Sequence, residues 1–139
     1  MDTSGTYIKM SGCPEIQGLW RPQEGDCIFI KGHSYTLPHV ALIYEGLRGG
    51  LIVGRGWEED WEFEREVSTW LPRQDQLQEI WWKSTPDGTY LKLWTMVEEF
   101  YGHYERYGYP KYAFSMEQLW LAFVMKELYN KIWDGDNWK

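Results

Sequence analysis

The clearest periodicity lies in the C-terminal half. Tyr90, Leu93, Trp94, Val97, Phe100, Tyr101, Tyr104 and Tyr107 recur at steps of three and four, one continuous apolar stripe along a helix closed near Gly108 and Pro110. Before it, Leu77, Ile80 and Trp81 predict a helix from Gln74 to Trp82, ended by Ser84-Thr85-Pro86-Asp87-Gly88. After it, Ser115-Met116-Glu117-Gln118 reads as a capping box that opens a final helix running to about Trp133. Met116, Leu119, Trp120, Phe123 and Val124 line one side of that helix, and Leu121, Met125, Leu128 and Ile132 another. Only a narrow polar strip remains, at Glu117, Lys126, Glu127 and Asn130, so burial on two sides is expected.

The N-terminal half changes period. Arg21-Pro22-Gln23-Glu24-Gly25-Asp26 is turn chemistry that delivers the chain into a strand at Cys27-Ile28-Phe29-Ile30. His39 to Tyr44 and Leu51 to Val53 are strand-like, and the glycines of the intervening Glu45-Gly46-Leu47-Arg48-Gly49-Gly50 suit a hairpin. Trp61, Phe63, Arg65 and Val67 alternate with Glu62, Glu64 and Glu66, which predicts a fourth strand with an acidic outer face and Arg65 inward. Tyr7 to Gln17 reads as a short helical piece interrupted by Gly12 and Pro14. The fold class expected is α+β in a single domain over 1–139. A small antiparallel sheet of three or four strands in the N-terminal half packs with about three helices in the C-terminal half.

Composition narrows the options. Ten Trp and ten Tyr within 139 residues make an aromatic core, and a chain of this length buries roughly two-thirds of its unfolded surface without staples. The net charge of -7 opposes direct binding to a phosphate backbone. Cys13 and Cys27 form neither a disulfide framework nor a zinc-type spacing, and the first residues lack a basic and apolar leader. No apolar run reaches bilayer length, so a cytoplasmic protein off the membrane is expected.

Three stretches resemble small uncharacterised proteins encoded by phages and prophages of Gram-positive bacteria. The first is Ile16-Gln17 with Trp20-Arg21-Pro22 and Glu24-Gly25-Asp26. The second runs Trp70-Leu71-Pro72-Arg73-Gln74-Asp75-Gln76-Leu77-Gln78-Glu79. The third joins Ser115-Met116-Glu117-Gln118-Leu119-Trp120-Leu121-Ala122-Phe123-Val124-Met125-Lys126-Glu127 to Trp133-Asp134-Gly135-Asp136-Asn137-Trp138. The resemblance implies a phage setting; that group carries no activity and no catalytic residue to transfer.

The sharpest enzymatic option is Gly25-Asp26-Cys27-Ile28-Phe29-Ile30 followed by His39-Val40-Ala41-Leu42-Ile43-Tyr44-Glu45-Gly46. It resembles the strand pair of papain-like cell-wall peptidases and acyltransferases. The resemblance implies His39 as general base for a cysteine at a helix N-terminus. Cys13 is the candidate nucleophile, but it stands beside Pro14 and outside an Asp-Cys-Ser context, while Cys27 lies within the strand.

Other chemistry is sparse. His33 with His39, or Glu99 with His103 one turn apart, supply too few ligands for zinc, and neither a metal nor a cofactor is expected. Trp57, Trp61, Trp70, Trp81 and Trp82 pose the question of a stacking platform, which core packing answers more simply. Two surface segments remain for protein contacts. Glu58, Glu59 and Asp60 are either a solvated face or an imitation of a phosphate track that occupies a host nucleic-acid-binding protein. Arg73, Gln74, Asp75 and Gln76 are either a helix cap or a partner surface. The reading overall is a non-enzymatic accessory protein with an unidentified protein partner and an open oligomeric state. A papain-like hydrolase or degenerate relative and an acidic mimic are the rivals.

Overall fold

In a computed structural model of the chain, which describes residues 1–32, 38–45, 51–54, 61–62, 64–84, 92–108 and 115–139, Gly12 and Pro14 separate two helices rather than interrupting one. Helix α1, Gly5–Ser11, starts on Ser4, whose hydroxyl oxygen accepts the Tyr7 N–H at 3.2 Å, and ends on Gly12. Helix α2, Pro14–Leu19, begins with proline at a position where the missing N–H costs nothing. Tyr7, Met10 and Ile16 are buried, and the Tyr7 hydroxyl donates to the Pro72 carbonyl.

The class is α+β, as the pattern predicts, with a sheet of five strands in the order β4-β3-β2-β1-β5. They are β1 Cys27–Ile30, β2 His39–Glu45, β3 Leu51–Gly54, β4 Trp61–Glu62 and β5 Ser68–Leu71, all antiparallel to their neighbours. Ile28 lies opposite both Ala41 and Trp70, and Ile43 opposite Val53; all five side chains are buried. The expected hairpin of β2 and β3 is present, although its connection at 46–50 lies outside the described residues.

The expected fourth strand is largely a different structure. Only Trp61–Glu62 pair, Phe63 lies outside the described residues, and Arg65–Val67 turns as a 3-10 helix into β5. Arg65 explains the departure. Its guanidinium donates to the Gln17 and Trp20 carbonyls, at 3.1 Å each, and lies 5.5 Å from the Trp20 ring centre, a set of contacts that satisfies the charge without an inward strand position.

Two residues finish this part of the fold. The Gln17 amide donates to the Trp70 carbonyl and accepts the Trp70 N–H, both at 3.0 Å, so it stands where a further strand would pair and closes the outer edge of β5. Asp26 is buried and accepts the Trp20 indole N–H at 2.8 Å and the Gln23 N–H at 3.1 Å, while Gly25 supplies a φ of 83°. The Gly-Asp pair is therefore a turn that anchors a tryptophan, and Trp20 in turn stacks on Trp70.

These elements belong to one compact unit, Thr3–Pro72; the other comprises Met1–Asp2 with Arg73–Lys139. The second holds α3 Gln74–Ser84, α4 Lys92–Tyr107 and α5 Met116–Tyr129, with α3 and α4 both packed on α5. Phe100 of α4 stacks on Trp120 at 4.1 Å, and Phe123 takes the edges or faces of Trp81, Phe100 and Trp120. Burying each such ring stabilises the fold by about 1.5–3 kcal/mol.

The cap of α5 forms as read, with the Ser115 hydroxyl accepting the Gln118 N–H at 3.1 Å. The reciprocal arm differs: the Gln118 amide donates to the Asp2 carboxylate at 2.6 Å, and the Ser115 hydroxyl donates to the same oxygen at 2.5 Å. The helix also stops short of Trp133, because Asn130 adopts a left-handed conformation and donates to the Lys126 carbonyl. Trp133 then pairs with Trp138 across a small loop held by the Asp134 carboxylate, which accepts the Asp136 and Asn137 N–H groups.

Candidate functional site

His39 opens β2 opposite Ile30 and shares its sheet face with Ala41 and Ile43. Cys27 lies opposite Leu42 and Leu71, on the other face, because side chains alternate along a strand. The sheet therefore keeps Cys27 and His39 apart. Cys13 caps the N-terminus of the six-residue α2, but burial pushes its thiol pKa up, and the neighbouring Glu15 carboxylate pushes the same way. Backbone N–H groups oppose this only in part, so the thiol is held protonated, the reverse of an activated nucleophile.

Arg73 to Gln76 form a helix start. The Gln76 side-chain oxygen accepts the Arg73 N–H at 2.9 Å, and Gln76 is buried. The Arg73 guanidinium forks onto both oxygens of Asp75, at 3.1 and 3.0 Å, and that hydrogen bond holds the exposed Asp75 carboxyl below its ordinary pKa. Gln74 is half-buried beside them. Glu58, Glu59, Asp60, His33 and Trp57 lie outside the described residues. Of the remaining tryptophans questioned as a platform, Trp70 and Trp81 are buried and Trp82 is half-buried.

His103, weighed with Glu99 as a ligand pair, lies against a carboxylate of another helix. Its Nδ1 lies 3.2 Å from a Glu127 oxygen on α5, with the ring set against Tyr104, Tyr107 and Phe123. Burial lowers the His103 pKa; Glu127 opposes that shift, while Lys126 and Arg106 reinforce it. Among the described residues no group of three or more His, Cys, Asp or Glu side chains could hold a metal ion.

The surface that the sequence pattern concealed is on α4. Its stripe, read as one core face, divides in two. Of the stripe, Tyr104 is buried, next to the buried Met96 and His103 outside it, and Phe100 packs on α5, whereas Trp94, Val97 and Tyr101 stand outward, 64%, 50% and 60% exposed. At 3.6 residues per turn those three occupy an arc of about 60°. Glu98 and Glu105, both exposed, flank the arc on one side. A sequence signal was available: an apolar arc from Trp94 round to Tyr107 is wider than one helix contact can cover.

Among the described residues no helix is long and apolar enough to cross a membrane. The chain matches no family model, no curated protein and no solved structure.

Proposed function

We propose that the protein is a non-enzymatic accessory factor that acts in the cytoplasm through protein contacts, in the phage or prophage setting suggested by the three stretches that resemble phage-encoded proteins, and that the outer face of α4 is its contact surface. One observation carries this reading. Trp94, Val97 and Tyr101 expose large apolar area side by side on one helix, area that a bound partner would desolvate. The protonated Cys13 thiol and the opposed faces of Cys27 and His39 weigh against the hydrolase, and the net charge of -7 against direct contact with nucleic acid.

The test is retention of proteins from a lysate of a Gram-positive bacterium, with and without phage infection, on the immobilised chain and on its Trp94→Gln/Val97→Gln variant. Specific bands held by the first and lost by the second are expected. Equal retention by both would remove the surface, and turnover of a substrate dependent on Cys13 and His39 would replace the reading with an enzymatic one.

A further inference from the structure

The charges beside the α4 arc describe what fits it. Trp94, Val97 and Tyr101 are spaced i, i+3, i+7, the spacing of one seam of a helix pair, and span about 10 Å at 1.5 Å per residue. Glu98 and Glu105, seven residues apart, occupy the position just after the seam where paired helices carry the charges that choose a partner. Both carboxylates are exposed, and among the described residues neither has an ion-pair partner, whereas Glu79 is paired with Lys83 at 2.7 Å and Glu127 with His103.

An unpaired acidic rail beside an apolar ridge selects against several occupants. A nucleic acid would be repelled by Glu98 and Glu105, and so would an acidic segment. A second copy of this chain would bring net charges of -7 together and set the same acidic rail beside its seam. A helix with its own apolar ridge and Lys or Arg at heptad spacing along one flank satisfies both features at once.

We infer that the outer face of α4 receives a cationic amphipathic helix of a partner protein, which buries its apolar ridge on Trp94, Val97 and Tyr101 and pairs its basic flank with Glu98 and Glu105. This rests on the protein-contact reading above and names the partner's chemistry.

The experiment titrates the full chain with a labelled synthetic helix that carries Leu along one heptad seam and Lys along its flanks, followed by fluorescence anisotropy at low salt. The same peptide with Glu in place of Lys is the control. Saturable binding of the Lys peptide is expected, with none of the Glu peptide. Trp94→Gln/Val97→Gln should abolish it. Glu98→Lys/Glu105→Lys should weaken it about tenfold or more and restore binding of the Glu peptide. Urea unfolding of each variant confirms that it is folded.

A control reversal at two exposed carboxylates elsewhere, Glu24→Lys/Glu66→Lys, should change affinity less than the α4 reversal; equal weakening would reduce the effect to net charge and overturn the inference. So would binding of a labelled oligonucleotide at this face, or self-association of the free chain that Trp94→Gln/Val97→Gln abolishes. If lysate proteins are lost with Trp94→Gln/Val97→Gln but are unaffected by Glu98→Lys/Glu105→Lys, the cationic helix fails while the protein-contact reading stands. If neither variant changes retention, both fail.

Discussion

Helices α4 and α5 are both rich in aromatic residues, yet they spend them differently. From Trp120 to Met125 every residue of α5 is buried, so its apolar positions are accounted for by the fold. On α4 only part of the stripe is used that way. Tyr104 is buried, with Met96 and His103 beside the stripe, while Trp94, Val97 and Tyr101 face outward beside the carboxylates of Glu98 and Glu105. The contrast separates two meanings of hydrophobicity along one chain. An apolar residue surrounded by its own fold contributes stability; an apolar residue left at the surface next to unpaired charge has an effect to show only when something binds.

The largest expected effect tests the buried side. Phe123→Ala removes a ring that touches Trp81, Phe100, His103 and Trp120, and should destabilise the protein by about 3–5 kcal/mol in urea unfolding. Next in size is the polar anchor of α5. Asp2→Ala removes the carboxylate oxygen that accepts from both the buried Gln118 amide and the Ser115 hydroxyl, and a loss of about 1–3 kcal/mol is expected by the same measurement. Ser115→Ala removes the oxygen that accepts the Gln118 N–H as well, at about 0.5–2 kcal/mol.

The contact between α4 and α5 also carries a pH signature. Burial lowers the His103 pKa in the folded state, so the unfolded chain takes up the proton first as pH falls. The stability associated with neutral His103 is therefore complete above its ordinary value of 6.5 and is lost as pH falls from there towards the depressed folded value. Unfolding midpoints measured across that range should show the dependence in the native chain and lose it in His103→Gln. A small effect is expected at Arg73 and Asp75, where Asp75→Asn breaks an exposed fork and should cost no more than about 1 kcal/mol.

Much of this contrast was legible in the residues and some was not. The Ser115 cap and the β1 to β3 meander follow from local chemistry, and both form where the pattern put them. Strand β5 was hidden because Thr69, Trp70 and Leu71 are all buried, which erases the alternation of a half-exposed strand, and because its partner β1 lies far upstream. Gly12 and Pro14 looked like breaks and are the end of one helix and the start of the next. For the surface, periodicity identified the apolar positions of α4 but could not say which had a neighbour, since that depends on where α5 packs. Asp26 was legible as a turn residue, but its hold on Trp20 and that of Gln17 on Trp70 were not, because those partners are set by the folded turn and sheet edge, not by spacing.

The most direct test of the contrast is urea unfolding of the Trp94→Gln/Val97→Gln variant. An outward face predicts an unfolding free energy within about 0.5 kcal/mol of the native chain's, because both side chains are mostly exposed. A loss comparable to that of Phe123→Ala would show that the arc is core, and would contradict the account.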